Sequence, residues 1–322
     1  MDSQTLSETA AVEGQSFWFP TAGSSIAGEI DGLFYFILAL STFFFFLIVG
    51  LMLFFVIRYR RREGYVQQDS TDHSTVLEIS WSVIPSLLLT IMFFRGFTTY
   101  LDIRTPPGDA YEIKVIAKMW TWAFQYPNGY IDNELHLPVN RPVKLTMTSE
   151  DVIHSLFIPA FRSKMDVLPG RYTSMWFEAT QTGEFPLYCA EYCGTKHSDM
   201  LSLVVVHPSG EFEKWLDSAS NLSATLPPIE VGKILFTRRG CAQCHSIDGT
   251  ARTGPSLKAV FGSQQPLTDG TTVEVDENYI RESILEPLKR VRAGYRPVMP
   301  SFKGQLKDAE IDGLIEFIKS AQ

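Results

Sequence analysis

The sequence has 322 residues, of which 45% are hydrophobic and 13% aromatic, and a formal net charge of -8 at pH 7. This length allows more than one domain, and the negative charge excludes a protein that binds nucleic acid through a basic surface. Phenylalanines cluster early in the chain, which indicates a membrane protein.

The first predicted element is a membrane-spanning helix. Residues 33–57 (LFYFILALSTFFFFLIVGLMLFFVI) carry no charge, and about 20 apolar residues suffice for a helix to cross a hydrocarbon core. A secretory signal peptide is the alternative, but it requires a basic segment before a shorter apolar stretch. Residues 1–32 contain no Lys or Arg, so we predict a permanent anchor.

The second predicted element completes a helical hairpin. Residues 79–94 (ISWSVIPSLLLTIMFF) are slightly short for a full crossing, so their flanks must contribute. Pro85 can be tolerated there, because neighbouring groups satisfy the backbone groups that it frees. The basic segment RYRRREG, 58–64, lies between the helices, and the positive-inside rule places it in the cytoplasm or the mitochondrial matrix. Residues 1–100 should therefore form an N-terminal segment and a two-pass hairpin with both chain termini outside.

The pattern then changes to that of β-strands. Within residues 101–217, segments such as YEIKVIAKMW and RPVKLTMTS alternate apolar and polar residues or are rich in β-branched and aromatic ones. We predict a small antiparallel β-sandwich or barrel that ends near Trp215. Residues 218–228 (SASNLSATLPP) have the composition of a linker.

The last predicted domain, residues 229–322, is helical. Apolar residues recur at helical spacing near its end, at Ile311, Leu314, Ile315 and Ile318.

A Cys-x-x-Cys-His motif, Cys241, Cys244 and His245, lies in this helical part. Such a motif can be a redox dithiol, half of a zinc site or a covalent haem attachment. No strand and helix context for a dithiol and no second ligand pair for zinc follows it. Met299 is the only Met after His245, and a His/Met pair gives the saturated iron of an electron carrier. We therefore predict covalent haem c with Met299 as the sixth ligand, rather than as core packing.

A second motif, CAEYCGTKHSDM at 189–200, contains the other two cysteines. Cys189, Cys193, His197 and Met200 form a soft donor set that suits copper better than magnesium or calcium, and zinc has little use for Met. His154, at the end of a strand-like run, supplies a second imidazole. Two thiolates can bridge two copper ions. A disulfide is the alternative, but it would not need His197 and Met200 at these intervals.

The arrangement H-(x)n-C-x-E-x-C-x-x-x-H-x-x-M after a two-helix hairpin resembles subunit II of the haem-copper oxidases over residues 25–217. Residues 229–322 resemble a class I cytochrome c, including GPSL after the motif and MPSF later. The whole chain is thus similar to a fused subunit II that carries its own haem c. The resemblance implies a multidomain membrane protein with a transmembrane hairpin, a cupredoxin-like β-sandwich and an all-α cytochrome c domain. It also implies a binuclear copper centre, CuA, with six ligands: His154, Cys189, Glu191 through its carbonyl, Cys193, His197 and Met200.

The resemblance suggests roles for three more side chains. Trp120, in KMWTWAFQYPNG, matches the point where electrons enter, although Met119 stands where many members have Gln, and core packing of Trp120 is the alternative. The Glu191 side chain can reach a magnesium ion at the border with subunit I. Glu78 matches the mouth of a proton path, but Thr75 and Glu78 also fit a capping box, and the sequence does not separate these interpretations.

The remaining histidines, His73, His136 and His207, match no motif, and we expect them in loops or on the surface.

The expected function is electron transfer within a terminal cytochrome c oxidase of the bacterial inner membrane. Electrons would pass from a donor, either cytochrome c or a quinol-cytochrome c reductase-type complex, through haem c and CuA. They would then reach oxidase subunit I, which reduces dioxygen to water and is accompanied by subunit III. Three alternatives remain: a CuA subunit of a nitric oxide reductase, a membrane-tethered electron carrier, and an envelope protein stabilised by zinc or a disulfide.

Overall fold

The structure is a computed structural model that describes residues 16–64 and 73–321. Residues 1–15 and 65–72, which belong to the predicted N-terminal segment and the loop of the hairpin, lie outside the described residues. Gln322 does too.

Two long helices open the described part of the chain. Helix α1 (Ala27–Arg58) and helix α2 (Thr75–Arg104) are both long and apolar enough to cross a membrane. Helix α2 extends beyond the apolar stretch 79–94 at both ends, so its flanks do contribute. Pro85 lies inside α2 without ending it.

An ion pair ties α1 to the domain that follows. The Arg162 guanidinium donates to both carboxylate oxygens of Asp31, each at 2.8 Å, and the Arg162 side chain is only 5% exposed. Arg162 also covers the Phe19 ring at 4.8 Å. These contacts fix the N-terminal end of α1 to the β-domain.

The β-domain contains ten strands: β1 (Tyr111–Lys118), β2 (Thr121–Gln125), β3 (Ile131–Asp132), β4 (Leu135–Pro138), β5 (Pro142–Ser149), β6 (His154–Ile158), β7 (Ser163–Val167), β8 (Thr173–Glu178), β9 (Gly183–Cys189) and β10 (Leu201–His207). One sheet has the order β3-β2-β1-β5-β8 and the other β4-β10-β9-β6-β7. Alternate residues of β5 are buried between the sheets, as the period of two predicts. Trp122 and Phe124 fill the same core.

The prediction of an antiparallel sandwich was wrong for two strand pairs. Strand β1 pairs with β5, and β10 with β4, in parallel. Parallel neighbours need a crossover, and here the chain between β1 and β5 crosses to the other sheet through β4.

A helix completes the β-domain after its last strand. The last strand ends at His207, and Trp215 lies on helix α3 (Glu211–Ser220), which packs on the sandwich through Phe212. Here the apolar residues follow a helical period rather than alternating.

The C-terminal part is helical, with α4 (Leu222–Thr225), α5 (Pro228–Arg238), α6 (Cys241–Cys244), α7 (Glu277–Leu285) and α8 (Asp308–Ser320). It also contains a small hairpin of β11 (Gln264–Pro266) and β12 (Thr272–Glu274), which the helical prediction did not include.

Helices α5 and α8 cross at two glycines. A Cβ on Gly232 would lie 2.0 Å from the Gly313 carbonyl oxygen, so only glycine permits this approach. The predicted face of α8, which includes Ile311 and Leu314, is buried against α5.

Candidate metal centre and haem cavity

The copper motif forms a compact cluster at one end of the sandwich. Strand β6 begins with His154 and β9 ends with Cys189, so adjacent strands place these two side chains together. The Cys189 Sγ lies 3.9 Å from His154 Nδ1 and 3.8 Å from Cys193 Sγ. A disulfide requires about 2.05 Å between the sulfurs, so the described cysteines are free thiols.

The loop between β9 and β10 brings the other predicted ligands to the same point. The Cys193 Sγ lies 3.5 Å from His197 Nδ1 and 3.8 Å from Met200 Sδ. The Cys189 Sγ lies 3.3 Å from the carbonyl oxygen of Glu191, whose side chain is exposed. All six groups named for copper therefore converge.

The ionisation of the two thiols indicates what the cluster fits. Burial raises the pKa of Cys189, but hydrogen bonds from His154 and from backbone groups outweigh burial and lower it overall. Burial, and then the adjacent Cys189 charge, raise the pKa of Cys193. At 3.8 Å, both thiols can therefore ionise together only where a cation offsets the second charge. With imidazole, thioether and carbonyl donors beside them, this set fits copper.

Asp151 is a residue of this site that the sequence did not reveal. Its Oδ1 lies 2.8 Å from His154 Nε2, and its Oδ2 accepts a hydrogen bond of 2.6 Å from the Met119 backbone N–H. The carboxylate orients the imidazole so that Nδ1 faces Cys189, as partners of metal ligands do. The only sequence signal was an acid three residues before His154.

Trp120 lies beside the copper loop, in the turn between β1 and β2. A Cβ on Gly194, the residue after Cys193, would lie 3.3 Å from Trp120 Cζ2. The Trp120 side chain is half-buried, and its buried Nε1 has no hydrogen-bond partner among the described residues. Trp122, in contrast, is 1% exposed and belongs to the core.

The haem motif lines a cavity of about 540 Å³ in the C-terminal domain. Cys241 and Cys244 lie on α6, and His245 follows them. The His245 Nδ1 donates to the Pro255 carbonyl oxygen at 2.8 Å, which leaves Nε2 free for a metal. Burial lowers the pKa of His245, so the imidazole is neutral at pH 7, as a ligand must be.

Met299 lines the same cavity as His245. The lining is mostly apolar and contains both thiols, so the residues fit a covalently attached haem. The cavity wall also includes residues of the β-domain, among them Met119 and Trp120. The predicted haem site and the Trp120 turn therefore adjoin.

The structure corrects the capping prediction at Glu78. The N-cap position of helix α2 is Ser74 rather than Thr75, and the Ser74 side chain makes no capping hydrogen bond. The Glu78 carboxylate accepts a hydrogen bond of 3.2 Å from the Ser74 backbone N–H. Glu78 therefore satisfies a free donor at the helix start, one residue out of the expected register.

The expectation for His136 was wrong. It lies on β4 with 7% exposure, stacked on Trp215 at 3.8 Å between ring centroids. His207, at the end of β10, is half-buried, and its Nε2 is 2.9 Å from His136 Nδ1. An exposed His73 fits the expectation.

Comparison with known proteins gives matches over most of the chain. Residues 11–98 match the transmembrane domain of cytochrome c oxidase subunit II, residues 129–207 its periplasmic domain, and residues 229–322 cytochrome c. Cytochrome c oxidase subunit 2 of Alkalihalophilus pseudofirmus is 30% identical over 280 residues, covering 83% of this chain and 80% of that protein.

Two further relatives come from Bradyrhizobium. An alternative cytochrome c oxidase subunit 2 of B. diazoefficiens is 28% identical, covering 62% of this chain and 83% of that protein. The solved periplasmic domain of subunit II of cytochrome oxidase of B. japonicum is 32% identical, with a TM-score of 0.35. The match covers 37% of this chain and 99% of the solved domain.

Proposed function

The chain belongs to the family of cytochrome c oxidase subunit II and carries a C-terminal cytochrome c domain, and we propose that it delivers electrons to a terminal oxidase. The route runs from a donor through haem c and CuA to a separate catalytic subunit that reduces dioxygen to water. The observation that supports this route best is the wall shared by the haem cavity and the Trp120 turn, with Trp120 beside the copper loop.

The residues of the copper cluster would hold two copper ions. His154, Cys189, Cys193, His197 and Met200 supply side-chain donors, and Glu191 supplies its carbonyl. When bound, the copper pair and the haem supply two one-electron centres.

Most side chains of the copper cluster are buried, and His197 is half-buried. His154 and Met200 have no exposed surface, and Cys193 is 2% exposed, so these side chains have little room to move. Asp151 fixes the His154 ring. A closed, preorganised site suits electron transfer, because little rearranges when the charge changes.

The haem residues are arranged for the same purpose. His245 is held by the Pro255 carbonyl, and Met299 lies in the same cavity wall. An iron with His and Met ligands has no open position and a raised potential. The chain therefore transfers electrons, and the chemistry on dioxygen belongs to its partner.

The hairpin supports the proposed orientation and partners. The basic segment 58–64 favours the cytoplasmic side, so the β-domain and the haem domain are proposed to lie on the periplasmic side of a bacterial inner membrane. Helices α1 and α2 expose large apolar side chains along their length, which suits burial in lipid and against oxidase subunits I and III. The exposed Glu191 side chain can bind magnesium at the border with subunit I, and Glu78 can serve a proton path there.

Purification in mild detergent tests the proposal. We expect a copurifying membrane subunit with its own haem, the absorption of haem c, and an electron spin signal shared by two copper nuclei. The complex should consume dioxygen. A chain that purifies alone and colourless would contradict the proposal, and consumption of nitric oxide instead of dioxygen would reassign the terminal acceptor.

A further inference from the structure

One lysine connects the two metal-binding parts of the chain. The Lys118 Nζ donates to the backbone carbonyl of Ser301 at 3.1 Å and to Glu150 Oε2 at 3.2 Å. Its side chain is 13% exposed, so this ammonium is held in place more firmly than a surface lysine. Lys118 and Ser301 lie 183 residues apart in sequence, one in each domain.

Both ends of this contact lie next to groups that the proposed function uses. Ser301 follows the predicted haem ligand Met299 by two residues. Lys118 ends β1 and precedes Trp120 by two residues. The contact therefore joins the loop that carries an iron ligand to the turn that carries the aromatic ring beside the copper loop.

The same turn is fixed on its copper side. The Met119 N–H donates to Asp151 Oδ2 at 2.6 Å, and Asp151 Oδ1 lies 2.8 Å from His154 Nε2. In addition, the Glu150 N–H donates to the Ala117 carbonyl at 3.0 Å. The Trp120 turn thus cannot move together with the Met299 loop without displacing His154. Lys118 therefore sets the distance between the turn and the loop.

Other contacts hold the domains together independently of Lys118. The Arg239 guanidinium lies 5.6 Å from the centre of the Tyr130 ring. The Lys307 Nζ donates to the Ser220 carbonyl at 2.9 Å, and Ser220 is itself held on the β-domain by a hydrogen bond of 2.7 Å from Asn128 Nδ2 to its Oγ. Loss of Lys118 should therefore loosen the Met299 loop without separating the domains.

We propose that Lys118 is a positioning residue for electron transfer between haem c and CuA. It holds the segment after Met299 against the Trp120 turn. This inference rests on the proposed function and adds a residue outside both ligand sets. Glu150 orients the ammonium, while the carbonyl of Ser301 accepts the hydrogen bond that crosses the interface.

The test measures transfer inside the loaded complex after photoreduction of haem c. We expect Lys118→Met to slow the appearance of reduced CuA by about tenfold, because small misplacements of reacting groups cost at least that much in rate. Amide hydrogen exchange of residues 297–305 should also become faster. Both optical spectra and the copper spin signal should stay unchanged.

Matched variants make the result specific. Lys114→Met removes a lysine from the same face of β1, with no ion pair among the described residues, and should leave rate and exchange unchanged. Lys118→Arg keeps a donor and should restore most of the rate. If Lys118→Met loses either cofactor, Lys118→Gln, which is too short to reach Ser301, replaces it.

A rate within twofold of wild type in Lys118→Met, or an equal loss in Lys114→Met, would overturn the inference. Failure of the proposed function would look different, since the unmodified complex would then lack copper, haem or transfer between them.

Discussion

At the scale of single residues, the two thiols of the copper motif show why a metal is needed. Each sulfur is buried, and the charge on Cys189 opposes ionisation of Cys193 at 3.8 Å. Without a cation, only one thiolate is favourable. A cation held by both sulfurs would favour the second ionisation, which is what copper binding would supply.

Replacing one of these thiols tests the ligand assignment. We expect Cys193→Ser to abolish the spin signal shared by two copper nuclei, because one of the two thiols that would hold copper is lost. The haem c spectrum should remain, since Cys241 and Cys244 are in another domain. Copper content and electron paramagnetic resonance measure the result. Ser198→Ala, in the same loop, is the control, and a shared-spin signal that survives in Cys193→Ser would refute the assignment.

The predicted haem ligand is testable in the same way. Met299→Leu keeps the size and apolar character of the side chain but removes the sulfur, so haem should stay attached while its reduction potential falls. A redox titration followed by haem absorbance measures the change. Retained absorbance of covalent haem is the internal control. An unchanged potential would show that Met299 is not a ligand.

At the scale of elements, the contact between α3 and the sandwich depends on a histidine pair. Burial, and then the charge of His136, lower the pKa of His207, while Glu211 opposes this more weakly. On the other side of the His136 ring, the Glu134 Oε2 lies 3.6 Å from His136 Nε2. Because the folded pKa of His207 is below the unfolded value of about 6.5, the unfolded state binds more protons under acid conditions.

The free energy of unfolding should therefore decrease as pH falls below about 6.5. Trp215 stacks on His136, so its fluorescence can report the change. His207→Gln should flatten this pH dependence, whereas His73→Gln, at an exposed position, should not. Equal pH dependence in wild type and His207→Gln would contradict the interpretation.

The crossing of α5 and α8 gives a second prediction for an element. Gly232→Ala would place a Cβ 2.0 Å from the Gly313 carbonyl oxygen, which is backbone and cannot rotate away. The helices must separate, at a cost of roughly 1–3 kcal/mol or more. Thermal unfolding followed by haem absorbance measures the loss. Gly108→Ala, where no atom lies within 4 Å of the new Cβ, should have little effect. A Gly232→Ala variant as stable as wild type would exclude this close crossing.

The elements also show which features a sequence can predict. The two apolar helices were predicted from the length of apolar stretches and the α8 face from helical spacing. Both are local patterns, and these predictions were confirmed. The parallel pairing of β1 with β5 depends on where the chain crosses between sheets, which no local pattern records.

The copper site shows the same difference between local sequence patterns and contacts that form only on folding. Cys189, Cys193, His197 and Met200 lie within twelve consecutive residues, so their spacing alone predicted a cluster. Asp151 and Lys118 act through contacts that only the folded register creates. Residues that position a ligand cannot be recognised in a single sequence, because nothing local distinguishes them from other acidic residues and lysines.

At the scale of the whole molecule, the chain connects a membrane anchor, a copper cluster and a haem cavity in series. Arg162 fixes the hairpin to the sandwich, and Lys118 joins the sandwich to the haem domain. The side of the haem cavity that faces Trp120 is already covered by the β-domain. An external donor should therefore reduce the haem before the copper.

The order in which haem c and CuA are reduced tests the proposed electron route most directly. The oxidised complex is mixed rapidly with a reduced soluble cytochrome c, and absorbance is followed separately for haem c and CuA. We predict that haem c is reduced first and that CuA is reduced as haem c loses its electron. Reduction of CuA ahead of haem c would contradict the proposed route.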